Sequence, residues 1–213
     1  MALDLVLFGN MCSGKTSVAQ ILSTEHKGAV VAAKEVVQRN LARASDEVRG
    51  LRARGFLLPD ALVIEWIFAA LDATPATGGP VILDGFPRTE PQARALLDSG
   101  RRPRRVVFLD FDLAVLKRRF GGRLLCEDCT MPASRAFTDF DGRCGLCRGT
   151  RLQPRPTDRP DYFEVKTGQF STVSIQVLPA LRAAGVPFAA IRDHTSFADL
   201  RAEVLTLMKP NGN

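Results

Sequence analysis

A glycine-rich segment near the beginning of the chain has the residue types and spacing of a phosphate-binding loop. In "GNMCSGKTS", residues 9–17, two glycines precede a lysine and a threonine, between an apolar run and a helical pattern. Backbone N–H groups and the helix N-terminus would surround a polyphosphate, and Lys15 would reach its terminal phosphates. The hydroxyl of Thr16 or Ser17 would lie near Mg²⁺. The alternative is a tight turn with an incidental lysine, but this setting favours a nucleoside triphosphate site. Cys12 is interpreted as a packing residue, because no base is evident nearby.

A second segment, "VILDGFPRTEPQA" at residues 81–93, places polar groups after a buried strand. Asp84 would lie at the carboxyl edge of an open α/β sheet, where ligands bind, and would hold Mg²⁺ through water. Gly85 permits close approach, and Arg88 offers a planar fork for a phosphate. The amide of Gln92 can read the edge of a base. The alternative is that this segment only caps the end of a strand.

Four cysteines have the spacing of a metal site. Cys126, Cys129, Cys144 and Cys147 form two C-x₂-C pairs separated by 14 residues. This pattern predicts a tetrahedral zinc site, and a complete set of four ligands makes its role structural. The alternatives are disulfides, which a reducing compartment disfavours, or four unrelated buried thiols, which the polar, glycine-rich surroundings disfavour.

The elements that must position these residues follow from alternating apolar runs and helical periods. We predict strands at 3–8, 29–32, 80–83, 105–110 and 187–191. We predict helices at about 15–25, 35–54, 60–73, 90–99, 112–120, 161–184 and 196–208. Continuous apolar strands between helices indicate an α/β fold with a five-stranded parallel sheet covered on both faces. Residues 123 to about 160 lack a helical period, which is typical of an inserted lid.

Composition limits the class of protein and the kind of partner. The 213 residues carry a net charge of +6, which favours nucleotide phosphates or nucleic acid as partners. No apolar stretch approaches the roughly 18 residues that span a bilayer. The first ten residues lack a basic start and a cleavage site, so we expect a cytoplasmic protein. The run "RRPRR" at 101–105 is interpreted as a solvated turn rather than a nucleic-acid patch.

The chain resembles the adenylate kinase family of nucleoside monophosphate kinases. The resemblance rests on "GNMCSGKTS", "LDGFPRTEPQA", "RRFGGR" and the four-cysteine insertion. It implies a P-loop core at 1–31, 61–122 and 161–213, a monophosphate-binding segment at 32–60 and a lid at 123–160. It also implies transfer of the γ-phosphoryl group of ATP to a nucleoside monophosphate, most readily AMP, with Mg²⁺ accompanying ATP and structural Zn²⁺ in the lid. The expected partners are these two nucleotides, without nucleic acid or membrane, and we expect a monomer.

The resemblance also assigns roles to residues at matching positions. The catalytic residues would be Lys15, Arg88, Arg123, Arg155, Asp158 and Lys166. ATP would contact Gly9, Asn10, Met11, Cys12, Ser13, Gly14, Lys15, Thr16, Ser17, Arg119 and Arg123, with Arg119 against the base. The monophosphate would contact Ala33, Gln38, Arg39, Gly85, Arg88 and Gln92. Thr16 and Asp84 would hold Mg²⁺ through water.

Several positions depart from the family pattern. In the acceptor segment a threonine becomes Ala33, a glycine becomes Lys34 and an arginine becomes Gln38, so Lys34 or Arg39 would supply the missing charge. Elsewhere the substituted positions are Met11, Cys12, Thr16, Thr157 and Lys166. Two alternatives therefore stay open: a kinase for another nucleotide or small acceptor, and a catalytically degenerate regulatory protein that binds ATP or nucleic acid.

Overall fold

The computed structural model of the chain describes residues 3–76, 78–155, 158–192 and 194–208. Its strands are β1 Leu3–Gly9, β2 Ala29–Ala32, β3 Val81–Asp84, β4 Pro103–Leu109, β5 Arg123–Cys126, β6 Pro132–Ser134, β7 Leu152–Pro154 and β8 Phe188–Ile191. Its helices are α1 Lys15–Glu25, α2 Ala33–Asn40, α3 Asp46–Ala53, α4 Asp60–Asp72, α5 Glu90–Asp98, α6 Leu113–Gly121, α7 Pro160–Thr172, α8 Val177–Ala183 and α9 Phe197–Met208. None of these helices combines the length and apolar character of a membrane span.

Five strands form one parallel sheet in the order β2-β3-β1-β4-β8. The predicted α/β fold and five-stranded parallel sheet are therefore confirmed. Side chains of β1 alternate between two cores: Val6 and Phe8 pack in one apolar cluster, and Leu5 and Leu7 pack in the other. Because both faces of this central strand are covered, its sequence is apolar without interruption from Leu5 to Phe8 rather than alternating.

Two long helices predicted from the sequence are each broken, and those predictions were wrong. The predicted helix at 35–54 is divided by a 3₁₀ turn at Leu41–Arg43, after which Ser45 caps α3 by accepting a hydrogen bond from the Val48 N–H at 3.3 Å. The predicted helix at 161–184 is divided by a 3₁₀ turn at Ser174–Gln176. Pro179 lies in the first turn of α8, where its missing N–H costs no helical hydrogen bond.

Residues 123–155, called the insertion below, contain regular structure that the sequence analysis did not predict. Strands β5, β6 and β7 form an antiparallel sheet in the order β6-β5-β7. Each strand has only three or four residues, which is too short for alternation of apolar side chains to be recognised. The insertion thus has its own small sheet beside the parallel one.

The parallel sheet brings the two chemical motifs together. Leu7 of β1 pairs with Asp84 of β3, so the phosphate loop after β1 and the "DGFPR" segment after β3 leave the sheet at the same edge. Carboxyl ends of neighbouring parallel strands form the crevice in which open α/β sheets bind ligands.

Candidate functional site

A cleft of about 620 Å³ opens at this edge of the sheet. It gathers most of the residues predicted from the sequence. The predicted residues that line it are Gly9, Asn10, Met11, Cys12, Gly14, Lys15, Thr16, Ser17, Ala33, Gln38, Asp84, Gly85, Arg88, Gln92, Arg119, Arg123, Arg155, Asp158 and Lys166. Ser13 and Arg39 are not among its lining residues. Thr157 lies outside the described residues.

The phosphate loop wraps tightly because two of its glycines have positive φ angles. Gly9 has φ 148°, and a Cβ atom there would lie 2.7 Å from the Leu109 carbonyl oxygen; Gly14 has φ 100°. The Lys15 ammonium donates to the Asn10 carbonyl at 2.6 Å and to the Ser13 hydroxyl at 3.2 Å. Burial lowers the pKa of Lys15 to about 8, while nearby Asp84 opposes the shift. An anionic ligand would stabilise this buried cation.

The two hydroxyls after Lys15 have different partners. Thr16 Oγ1 donates to Asp84 Oδ2 at 2.6 Å, which joins the phosphate loop to the end of β3. Ser17 Oγ donates to the Pro132 carbonyl of the insertion at 2.9 Å. Thr16 and Asp84 therefore form the oxygen pair suited to a hard cation such as Mg²⁺, whereas Ser17 anchors the insertion.

Arg88 is held rigidly on the turn that follows β3. Its Nε donates to the Gly85 carbonyl at 2.8 Å, and burial lowers its pKa, partly opposed by Asp84. Gln92, predicted to read a base, is 2% exposed. Its amide nitrogen donates to Asp60 Oδ1, and its oxygen accepts from the Arg88 N–H, both at 2.8 Å. Reading a base stays a prediction, and it requires this buried amide to become accessible to the base.

The residues proposed to supply the missing acceptor charge lie at different places. Lys34 lines the cleft, and burial together with Arg155 and Arg123 lowers its pKa. Arg39 is exposed, and its Nε donates to the Glu35 carbonyl one turn earlier in α2, at 3.4 Å. Of the two candidates, the structure brings only Lys34 to the cleft.

Arg123, Arg155 and Asp158 meet where the insertion joins the core. Arg123 Nη1 lies 3.4 Å from Asp158 Oδ1 and 3.7 Å from the Cys12 sulfur. Burial and Arg123 lower the pKa of Arg155. Asp158 Oδ2 is buried and has no hydrogen-bond partner among the described residues, so it is available to a ligand. Burial raises the pKa of Cys12, which keeps it as a thiol at neutral pH.

Two side chains on α7 complete the other wall of the cleft. The Lys166 ammonium lies 5.5 Å from the centre of the Tyr162 ring. Burial, Arg88 and Arg52 lower the pKa of Lys166 to about 7. The Tyr162 hydroxyl accepts from Arg52 Nη1 at 3.5 Å, so α3 and α7 meet across the cleft.

The four cysteines form one cluster, with all four sulfurs within 4.8 Å of one another. Cys126 and Cys147 have sulfurs 3.6 Å apart, and those of Cys129 and Cys144 are 3.4 Å apart. These separations are far longer than a disulfide bond of about 2.05 Å. They are close to the spacing of about 3.8 Å that Zn–S bonds of about 2.3 Å produce in a tetrahedral site. The cluster therefore fits a closed zinc site.

Comparison with known proteins places this site in a family. No family model matches the chain. The adenylate kinase of Novosphingobium aromaticivorans is 30% identical over 86% of this chain and 89% of its own length. That of Finegoldia magna is 33% identical over 70% of this chain and 73% of its own. That of Zymomonas mobilis is 26% identical over 99% of this chain and 97% of its own.

The chain belongs to the adenylate kinase family. It is accordingly an adenylate kinase-like phosphotransferase, as the sequence analysis predicted. A four-cysteine cluster compatible with a zinc-binding lid accompanies this family assignment.

Arg119, which the family resemblance places against the donor base, is enclosed by aromatic rings. Its guanidinium lies 4.1 Å from the Phe111 ring centre and 4.4 Å from that of Phe137. It also donates to the Ser13 carbonyl at 3.3 Å and to the His194 carbonyl. At 2% exposure, both of its faces are covered by the protein. The role of Arg119 stays a prediction, and a stacked base would have to displace Phe137.

Asp139 joins the insertion to the start of α9, a contact that was not predicted from the sequence. Asp139 Oδ1 accepts from the Phe197 N–H at 2.9 Å, and Oδ2 accepts from the Ala198 N–H at 2.8 Å. Desolvation raises the pKa of Asp139, but these N–H donors outweigh it and hold the pKa below its usual range. Asp139 thus caps α9 from 58 positions away, and no local sequence signal announces such a partner.

Arg52 is one of the cleft residues that the sequence analysis did not single out. The only available signal was the dense basic stretch "RGLRARG" at 49–55, within a segment already predicted to bind the acceptor.

Proposed function

We propose that the chain is a nucleoside monophosphate kinase that transfers the γ-phosphoryl group of Mg-ATP to AMP and forms two molecules of ADP. The observation that carries this proposal is the convergence of cations in one cleft. Lys15 comes from the phosphate loop, whereas Arg88 and Lys166 come from the β3 turn and from α7. A single triphosphate would not need Arg88 and Lys166 in addition to Lys15. A donor and an acceptor phosphate bound side by side would need all three.

The cleft supports a mechanism based on positioning and charge. The attacking acceptor oxygen is already anionic, so the reaction needs no general base. Lys15 would bind the β- and γ-phosphates, and Arg88 would bind the acceptor phosphate. Arg123 and Arg155 would neutralise charge on the phosphates during transfer, and Asp158 would orient Arg123. Mg²⁺ would enter with ATP and be held through water by Thr16 and Asp84.

The same proposal assigns a role to each segment of the chain. Residues 1–31, 61–122 and 161–213 would form the P-loop core, residues 32–60 the monophosphate-binding segment, and residues 123–160 a lid. The lid would exclude water during transfer, and its cysteines would hold structural zinc. We further propose that the protein acts as a cytoplasmic monomer, as its family resemblance implies.

AMP is proposed as the acceptor because the relatives are named adenylate kinases. A different nucleoside monophosphate is the second candidate. The observation that favours it is the burial of Gln92, which is 2% exposed and already bonded to Asp60 and Arg88, so that little of its amide is accessible to adenine. Replacement of the base-facing threonine of the family pattern by Ala33 removes a hydroxyl from the same side.

The Arg88→Ala variant tests the assignment of the acceptor half. Arg88 is proposed to contact only the acceptor phosphate, so its loss should weaken monophosphate binding by about 2–5 kcal/mol and leave Mg-ATP binding nearly unchanged. Titration calorimetry with each nucleotide measures both affinities. Arg94→Ala is the matched control, because Arg94 is exposed on α5 and pairs with Glu90. Equal losses for AMP and Mg-ATP would contradict the proposed division of the cleft.

A further inference from the structure

The acceptor half of the cleft has lost one family arginine, and no arginine of α2 lines the cleft in its place. Gln38 stands where the family pattern has an arginine, and an amide cannot neutralise a phosphate. Arg39 does not line the cleft, and its guanidinium is turned back to the Glu35 carbonyl. Lys34 does line the cleft, but burial together with Arg155 and Arg123 lowers its pKa, and an ammonium lacks the planar fork of the arginine that Gln38 replaces. An arginine from another element would restore that fork for the acceptor phosphate.

Arg52, in the last turn of α3, lies at the required place. It lines the cleft, and it is close enough to Arg88 and Lys166 for its charge to influence both. Its Nη1 donates to the Tyr162 hydroxyl at 3.5 Å, a long contact that leaves its other N–H groups for a ligand. Arg52 thus belongs to the same group of cations as the proposed acceptor ligands.

The packing of α3 against α7 holds Arg52 at this position. A Cβ atom at Gly55, three residues after Arg52, would lie 2.9 Å from the Tyr162 ring and 3.6 Å from Lys166 Cε. Gly55 has φ 83°, so glycine serves both the turn and the close approach. The end of α3 therefore lies directly on the helix that carries Lys166.

Within the described ranges, no salt bridge compensates the positive charges of Arg52, Arg88 and Lys166. No carboxylate lies within ion-pair distance of Arg52, Arg88 or Lys166 among the salt bridges of this part of the chain. Like charges that are partly desolvated repel one another, and a bound dianion removes that repulsion.

We propose that Arg52 binds the phosphate of the acceptor nucleotide and takes the place of the arginine replaced by Gln38. This inference rests on the proposed kinase function, because it needs an acceptor phosphate beside Arg88 and Lys166. The planar guanidinium provides two parallel N–H donors for phosphate oxygens, while Tyr162 orients it. The acceptor phosphate is then bound by α3, the β3 turn and α7 together.

The Arg52→Ala variant tests this role by the pattern of its losses. Binding of AMP should weaken on the order of 10- to 100-fold, the range for a lost hydrogen bond to a charged group. The same factor should apply to GMP, CMP and UMP, measured as inhibition or Michaelis constants, because the phosphate is their common group. Mg-ATP binding should stay within about threefold. Arg52→Lys should recover part of the loss by keeping the charge.

Arg54→Ala is the matched control, since Arg54 is exposed two residues further along and lies 5.8 Å from the Phe56 ring centre. Circular dichroism of each variant verifies the fold. A loss of affinity that depends on the base would place Arg52 against the base and overturn the inference. Unchanged AMP binding, or an equal loss of affinity for Mg-ATP, would also overturn it. If the wild-type protein transfers no phosphoryl group to any monophosphate, the proposed function itself fails, which is a separate result.

Discussion

Lys166 shows how strongly the cleft acts on a single residue. Its ammonium is buried beside Arg88 on the β3 turn and Arg52 on α3, and the Tyr162 ring faces it from its own helix. The pKa of about 7 that results leaves Lys166 half charged at neutral pH without a ligand. An acceptor phosphate would favour the charged form, so binding and proton uptake become linked.

Acceptor affinity should therefore depend on pH in a defined direction. Lys166 is charged below pH 7 and loses its proton above it, so the KM for AMP should rise on the order of fivefold between pH 7 and pH 8. Initial rates at saturating Mg-ATP measure this profile.

The Lys166→Arg variant is the control for this pH dependence, because a guanidinium stays charged throughout the range. Its KM for AMP should be nearly constant between pH 7 and pH 8. An unchanged rise in the KM of this variant would assign the pH dependence to another group.

Residues within the motifs could be predicted because the motif fixes them to the end of a strand. Asp84 ends β3, and Lys15 and Arg88 lie in or next to the loops that leave β1 and β3, so the parallel sheet brings all three together. Arg52 and Asp139 could not be predicted in the same way. Each acts through a partner at least 58 positions away, Tyr162 for Arg52 and the start of α9 for Asp139. The hydrogen bond between Gln92 and Asp60 was not predicted either, because the two residues lie 32 positions apart in the sequence.

At the scale of elements, the insertion combines a four-cysteine cluster with several anchors to the core. Ile21 of α1 packs with Cys126, Met131 and Cys144 in one buried cluster, against which Phe197 of α9 also packs. The hydrogen bonds of Ser17 and Asp139 add polar anchors on the same two helices. Beyond this cluster and these anchors the regular structure of residues 123–155 consists of three short strands, so we expect the cysteines to contribute most of its order.

Removal of the metal should disorder the insertion and leave the parallel sheet folded. Structural zinc contributes an apparent ~10–16 kcal/mol in small finger peptides, which exceeds what so short a segment gains from burial. Elemental analysis should find about one zinc per chain in the wild type. The zinc should be lost in Cys144→Ser and kept in Cys12→Ser. Hydrogen exchange should then increase in residues 123–155 but not in β1 or β4. Freshly purified, reduced protein without zinc would refute the site, and loss of all protection would refute the independence of the sheet.

The five core strands were predictable because each contains a short uninterrupted apolar run. The helix breaks were not, because they depend on local geometry at Ser45 and Pro179 that does not interrupt the apolar pattern. The three strands of the insertion carry too few residues for any period to be read.

For the whole molecule, net charge indicated the kind of partner but not its place. The excess of +6 pointed to anions. Folding then concentrates the charge, because the cations of the phosphate loop, α3, the β3 turn and α7 all line one cleft. Other arginines form surface ion pairs, as Arg94 does with Glu90, and these contribute little to binding or stability.

The most direct test of the central claim is the stoichiometry of phosphoryl transfer by the purified protein. With Mg-ATP and AMP, two molecules of ADP should form for each ATP consumed, and no inorganic phosphate should be released. Lys15→Ala should lower the rate on the order of 100-fold or more, while Lys117→Ala, which alters an exposed lysine of α6, should not change it. Formation of ADP and inorganic phosphate regardless of AMP, or equal rates in wild type and Lys15→Ala, would contradict the account.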